Sequence, residues 1–247
     1  MKGLLGTAAV ADESRADSMI RIRVARTKED LNGAIAVRYQ AYSEKLEGLA
    51  DDVLEAEDLD SDINPIVLIA EDKSSGHIFA TARLNYGPKV RELLSEIELP
   101  ASLKFERLGY LSRMAAVGPV DRKNMARFLI HKAMFQICMA KQITLMLTLV
   151  GRARTKLYTP LGFRPIFEND MTHNPEIVHG RSVRLLGLRT YDLSRYLLEN
   201  DPVRYEFAFQ RFHESIEVFN SVSSNTMRDA DDREAVGPHE ELLAEAV

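Results

Sequence analysis

"GYLSRMAAVGPVDRKNMARFLIHKAMF", residues 109–135, sets a strand-like run directly against a basic but otherwise apolar helix. Gly118-Pro119 breaks the strand, and Arg122 and Lys123 stand at the start of the helix. Unpaired backbone N–H groups and the helix dipole make such an end attractive to an anion. The next stretch, "ITLMLTLV" (143–150), is uncharged and β-branched, the pattern of a central strand buried on both faces. A helix between two strands is a crossover, which favours parallel neighbours. The two strands are therefore expected to run parallel and to splay at their C-terminal ends, where open α/β sheets hold ligands.

Working outward, "MIRIRVA" (19–25) alternates apolar and basic residues as a half-buried strand does. Thr27 then caps a helix reaching about residue 47, with Asp30 completing an approximate capping box. Its inward stripe reads Leu31, Ile35, Arg38, Tyr42, Leu46, and Arg38 is the odd member. An acidic loop covers 51–62, and "PIVLIAED" and "HIFATARLNY" form a hairpin about "KSSG". Short helices are expected at 90–97 and 152–159, and strands at "FRPIF" and "SVRLLGLR". Asp201-Pro202 opens a last amphipathic helix to about residue 219. The expectation is one α/β domain, 19–219. It has a mixed, twisted central sheet of about seven strands flanked by helices, with an extra C-terminal helix. A flexible leader (1–18) precedes it and a disordered acidic tail (220–247) follows.

The 247-residue chain is 45% hydrophobic and 28% charged, the balance of an ordinary globular protein. No apolar run approaches the roughly 20 residues needed to span a bilayer. The N-terminus turns acidic too soon for a signal peptide. A single cysteine, Cys138, excludes an intrachain disulfide and a thiolate metal site. His173 and His179 have no third ligand in sequence, so no metal is expected, and a reducing cytoplasm is the natural setting. The net charge of −5 hides an asymmetry: residues 113–164 hold ten Lys or Arg against one acid, Asp121, for +9, leaving −14 elsewhere. A low pI and the lack of a recognition motif argue against nucleic acid and leave an acidic partner or a solvated surface.

The element order resembles the GNAT acyltransferase superfamily. "LYTPLGFRPI" (157–166) is similar to that superfamily's LYxxLGF segment, and "YLSRMAAV" with its turn and helix to its acyl-thioester-binding strand and loop. "RYQAY" (38–42), "EDLDSD" (57–62), "GHIFATARL" (76–84) and "LSR" (111–113) resemble acyl-homoserine-lactone synthases. They are closer still to N-acyl amino acid synthases of the FeeM type. The resemblance spans about 20–190. It implies transfer of a medium or long acyl chain from a thioester to a primary amine, such as an amino acid. No cofactor is then tightly bound; the co-substrate is an acyl-phosphopantetheine thioester, carried by an acyl carrier protein or by coenzyme A. Acetyl-coenzyme A-dependent N-acetylation, or a catalytically idle relative that binds an acyl group or a partner, are the alternatives.

By the same resemblance, Met114, Ala115, Ala116, Val117, Arg122, Lys123 and Asn124 would bind the acyl thioester. The superfamily's glycine-rich pyrophosphate loop is replaced by "VDRKNMAR", whose side chains hinder close backbone approach. That favours the carrier protein, which offers one phosphodiester and an acidic surface. Lys123, Arg127 and His131, with Lys132 beside them, form a helical stripe that suits either carrier docking or a water-facing edge. Tyr158 would act as general acid toward the leaving thiolate. Tyr110 stands where acyl-homoserine-lactone synthases have a Glu, and Glu106 is the nearest candidate base. Arg38, Arg83 and Arg113 need anions, supplied either by acidic-loop residues such as Asp58 and Asp62 or by an acceptor carboxylate, and those loop acids could in turn hold the ammonium of an amino-acid acceptor. Five of the nine methionines (114, 125, 134, 139, 146) lie along the expected acyl path, as tunnel lining or as core filler.

Overall fold

Alternation and turn chemistry place the strands. The computed structural model describes residues 19–43, 65–167, 172–175, 178 and 180–218. Strands β1 (Ile20–Val24), β2 (Ile66–Asp72) and β3 (Ile78–Tyr86) form an antiparallel ladder. β4 (Leu108–Ala116) adds antiparallel to β3, and β5 (Leu145–Gly151) runs parallel to β4. β7 (Val183–Arg189) returns antiparallel to β5, with the two-residue β6 (Arg164–Pro165) at that edge. With β8 (Ile216–Glu217) beside β1, the order is β6-β7-β5-β4-β3-β2-β1-β8, eight strands where about seven were expected; β6 and β8 are the short ones.

The helices cover both faces. α1 (Lys28–Ser43) packs on β3 and β4, and its Leu31 and Ala34 meet Val67 and Ile69 of β2. The long α3 (Val120–Ala140) lies on the other face, where Leu68, Ala70, Ala80 and Ala82 join its Leu129, Ile130 and Ala133. The short α2 (Lys89–Leu93) and its flanks cover Tyr110, Leu145 and Leu147. The "ITLMLTLV" run is buried on both faces as its composition requires, Leu147 against α2's cluster and Met146 against α3's. Among the described residues, no helix is long and apolar enough to cross a membrane.

The C-terminal segment departs from expectation. α5 (Leu193–Asn200), which the sequence reading omitted, buries Leu193 and Leu197. The helix opened by Asp201 is one turn, α6 (Pro202–Tyr205), followed by a π-helical turn, Glu206–Gln210. The chain then extends, and β8 (Ile216–Glu217) pairs parallel to β1. Ile216 and Val218 are buried while Glu217 is exposed, a period of two that a helix cannot satisfy. The acidic loop with Asp58 and Asp62, the leader at 1–18 and the tail at 220–247 lie outside the described residues.

The capping box at α1 forms in both directions. Asp30 N–H donates to Thr27 Oγ1 at 3.2 Å, and Thr27 N–H donates to the Asp30 carboxylate at 3.2 Å. Arg23 adds a bidentate bridge to Asp30, both contacts 2.7 Å, and reaches Glu71 at 2.8 Å. Burial opposes ionisation of Asp30, but these donors outweigh it and hold its carboxyl below the ordinary value. A carboxylate so depressed stabilises the fold above the unfolded value of about 3.9, and that stability is lost as pH falls through the folded value. Asp30→Asn is therefore expected to cost about 1–2 kcal/mol at pH 7 and to flatten the acid limb of stability, measured by denaturant titration between pH 7 and 3.

Candidate active site

The site begins where a ladder ends. β4 and β5 pair only from Leu108 with Leu145 to Leu111 with Thr148; beyond that point both strands continue unpaired with each other. On its other side β4 loses step with β3, because Thr81 faces Ala115 while Arg83 faces Ser112. Arg113 and Met114 thus oppose the single residue Ala82, a β-bulge. Arg113 holds φ 54°, a left-handed conformation that a non-glycine side chain adopts only where its surroundings enforce it.

Two cavities meet at this gap. One, of about 460 Å³, is lined by Arg83, Tyr110, Arg113, Arg152, Arg154 and Arg181 among others. The second, about 470 Å³, lies toward α3 and is lined by Met114, Ala115, Ala116, Asn124, Arg127 and His131 with the turn carrying Tyr158. Tyr42, Met114, Arg154 and Tyr158 line both, so they form the passage between them. Neither cavity has an Asp or Glu among its described lining residues. Arg83 is 2% exposed, and its Nε donates to Ser112 Oγ at 3.3 Å across the bulge. Burial pushes the Tyr110 phenol up to about 12, so it is a neutral donor in the wall.

"LYTPLGF" builds the passage by local rules. α4 (Thr155–Tyr158) is one helical turn, tightened by a following 3₁₀ turn at Thr159–Leu161. Gly162 ends it at φ 91°, where a Cβ would sit 2.7 Å from Leu193. The reversal lets Phe163 N–H donate back to the Tyr158 carbonyl at 3.3 Å and sets the Phe163 ring edgewise on Tyr158 at 5.4 Å. His131 packs against the same phenol, with ring centroids 6.0 Å apart. Burial raises the Tyr158 phenol above its ordinary value, against the pull of Arg154 and Arg127, so it carries its proton at neutral pH.

Several expected site residues lie elsewhere. Glu106 precedes β4, at the opposite end of the strand from the bulge. There Thr144 Oγ1 donates to it and Arg189 pairs with it at 2.6 Å, so its carboxyl is held low. It has no place in either cavity. Arg122 turns back to Asp72 at 2.5 Å and lies over the Phe79 ring at 4.0 Å, and neither it nor Lys123 lines either of the two cavities. Val117 N–H is committed to the Phe79 carbonyl at 2.9 Å. Arg38 is fully buried on α1 and does not reach the cavity walls. The stripe on α3 is not a solvent-facing edge. Arg127 and His131 line the α3-side cavity, and buried Lys132 donates to the carbonyls of Phe207 at 2.6 Å and Arg211 at 2.5 Å.

Arg152, Arg154, Lys156 and Arg181 were not singled out from sequence. The first three stand directly after the central strand, at its carboxyl end, which is the signal that marks ligand positions in such sheets. A small apolar recess of about 60 Å³ continues the α3-side cavity and shares Phe128, His131, Leu161 and Arg204 with it. Met114 and Met146 line cavity walls, Met134 is core, and Met139 is exposed. Cys138 is buried and inert, its thiol pushed up to about 12.

Comparison with known proteins agrees with this architecture. No family model matches the chain, and no curated protein matches it in sequence. Among solved structures it is similar to FeeM, an N-acyl amino acid synthase from uncultured soil microbes, with 10% identity and a TM-score of 0.54. That match covers 73% of this chain and 97% of FeeM. It is also similar to BjaI, a CoA-dependent acyl-homoserine lactone synthase, with 14% identity and a TM-score of 0.53. Here 81% of this chain and 93% of BjaI are covered. The chain therefore has the GNAT-like fold, and its open mixed sheet parts between β4 and β5.

Proposed function

We propose that the chain is an N-acyltransferase. It moves an acyl group from a phosphopantetheine thioester to the primary amine of a carboxylate-bearing acceptor, an amino acid. One observation carries the reading: two cavities join at a β-bulge beside a half-buried, protonated tyrosine, and the one lined by five arginines has no acid among its described lining residues. The α3-side cavity, edged by Arg127, Arg154 and Lys156, suits the phosphate-bearing donor arm, and the cavity with five arginines suits a carboxylate gripped bidentately. The thioester carbonyl lies at the bulge, where the backbone N–H of Met114 polarises it. The amine attacks the carbonyl carbon, the C–N bond forms and the C–S bond breaks. Tyr158 gives its proton to the departing sulfur and regains one from the attacking nitrogen.

The donor is an acyl carrier protein. Support comes from charge: the +9 run of residues 113–164 sits in an otherwise acidic chain, and Lys156, Arg154 and Arg127 edge the α3-side cavity. Carrier proteins are acidic, and an extended field steers a protein more than it steers a small coenzyme. Arg122 takes no part in this, since Asp72 and Phe79 hold it.

Three outcomes are expected. Tyr158→Phe lowers kcat about 10²-fold with an unchanged melting curve, because only the proton donor is lost; full activity in that variant sinks the mechanism. Arg113→Ala raises KM for an amino-acid acceptor about tenfold while sparing a matched amine without a carboxylate, measured by product mass spectrometry. Equal effects on both acceptors would show that Arg113 does not read a carboxylate. A Lys123→Glu, Lys156→Glu double variant loses about tenfold in turnover with acyl carrier protein, and wild-type turnover falls steeply with salt. Equal or better turnover with acyl-coenzyme A, indifferent to both changes, overturns the carrier-protein assignment.

A further inference from the structure

The arginine-lined cavity holds more positive charge than one carboxylate offsets. Of its five arginines, Arg83, Arg152 and Arg181 have partners of their own. Arg113 and Arg154 differ, for neither makes a hydrogen bond or an ion pair among the described residues. They stand on opposite sides of the gap between the parted strands. Arg113 is half-buried on β4, at the bulge, with its backbone held at φ 54°. Arg154 closes the 3₁₀ turn Arg152–Arg154 that follows β5. Arg154 lines both cavities and so shares the passage with Tyr158, whereas Arg113 lines the arginine-rich cavity alone.

These two positions bear on the acceptor group by group. The amine must reach the thioester carbon beside Tyr158, and in an α-amino acid one carbon separates that nitrogen from the carboxylate. Arg154, in the passage, is the cation placed to take this carboxylate. Arg113 then still faces a cavity that has no Asp or Glu among its described lining residues. A guanidinium so placed is one half of a bidentate pair. A cationic wall also disfavours the ammonium form of the bound amine, which must be neutral to attack. An acceptor with a neutral amine and one carboxylate leaves one of the two cations unmatched, and an acceptor with two carboxylates matches both. At about 460 Å³ the cavity has room for either acidic side chain.

We infer that the acceptor is an acidic amino acid, of the aspartate or glutamate type: Arg154 holds the α-carboxylate beside the reacting amine, and Arg113 reads the side-chain carboxylate farther into the cavity. This rests on the acyl-transfer reading above. Asparagine and glutamine have the same shapes but present to Arg113 a neutral amide, whose nitrogen only donates, so the charge and one of the two paired hydrogen bonds are lost. The product would be an N-acyl dicarboxylate, an amphiphile with two negative charges at its head.

The test compares glutamate with glutamine and aspartate with asparagine, each with a decanoyl thioester on carrier protein and on coenzyme A. Binding of the same four acceptors is measured by calorimetry with a non-transferable decanoyl-pantetheine thioether in place. In at least one pair, wild type is expected to favour the acid over its amide about tenfold in kcat/KM and in affinity. In Arg113→Gln that ratio falls to about one, and Arg113→Lys, which keeps the charge without the fork, retains part of it. Arg154→Gln weakens acid and amide alike and leaves the ratio standing. Equal use and equal binding of acid and amide by wild type in both pairs overturns the inference and leaves acyl transfer intact. Absence of turnover with every acceptor, with the preference for the acid kept in binding, overturns the transfer reading alone. A preference that survives undiminished in Arg113→Gln places the recognition elsewhere and also refutes the inference.

Discussion

Everything in the site depends on a ladder that stops. Parallel strands β4 and β5 share backbone hydrogen bonds only as far as Leu111 and Thr148, although each strand continues for several residues. Continued pairing would seal the sheet and leave no passage between its faces. The bulge at Arg113 and Met114 turns β4 at that level, and the left-handed backbone at Arg113 is the strain that accompanies it. Cavities on the two sides, the arginine cluster and the position of Tyr158 all follow from this parting. The two synthases with the same fold show that the architecture recurs at 10–14% identity, which sets topology above side-chain detail as what is shared.

The features legible in sequence were those whose causes are local. Thr27 and Asp30 satisfy each other within one turn, so the capping box needed no tertiary knowledge. Gly162 is required by its own φ and by Leu193 beside it, and the segment "LYTPLGF" carries the passage tyrosine with it. An uncharged eight-residue run could only be a strand covered on both faces. What escaped were partnerships across long sequence separations. Arg122 meets Asp72, Glu106 meets Arg189 and Lys132 meets Phe207, and no local spacing announces these. Helical periodicity placed Lys123, Arg127, His131 and Lys132 on neighbouring faces but gave no sign of which face the C-terminal segment would cover. The final helix was misread for a related reason. Its amphipathic pattern is satisfied by a π turn and then by a strand whose partner, β1, lies at the start of the chain.

Electrostatics divides the molecule between structure and site. Carboxylates among the described residues are engaged where they hold the fold together: Asp30 and Glu71 with Arg23, Asp72 with Arg122, Glu106 with Arg189. The cavities, by contrast, are lined by cations and neutral donors. A site so arranged accepts negative charge without a metal-like counter-ion, and it keeps Tyr158 and Tyr110 protonated by burial rather than by neighbouring acids.

The pairing of β8 with β1 carries a consequence for the order of assembly. The chain leaves the sheet at β7, near one edge, and rejoins it beyond β1 at the other, so it must cross the face on which α3 lies. That crossing supplies Phe207 and Ala208 to the apolar recess and the carbonyls that receive Lys132. Joining Ile22 to Ile216 closes a loop of nearly the whole described chain, the kind of contact whose entropic cost makes it form late. During synthesis the sheet and α3 can be complete while the recess still lacks its roof. Lys132 then faces water until the strap arrives, and the last apolar surface to be covered is the one closest to the proposed substrate chain.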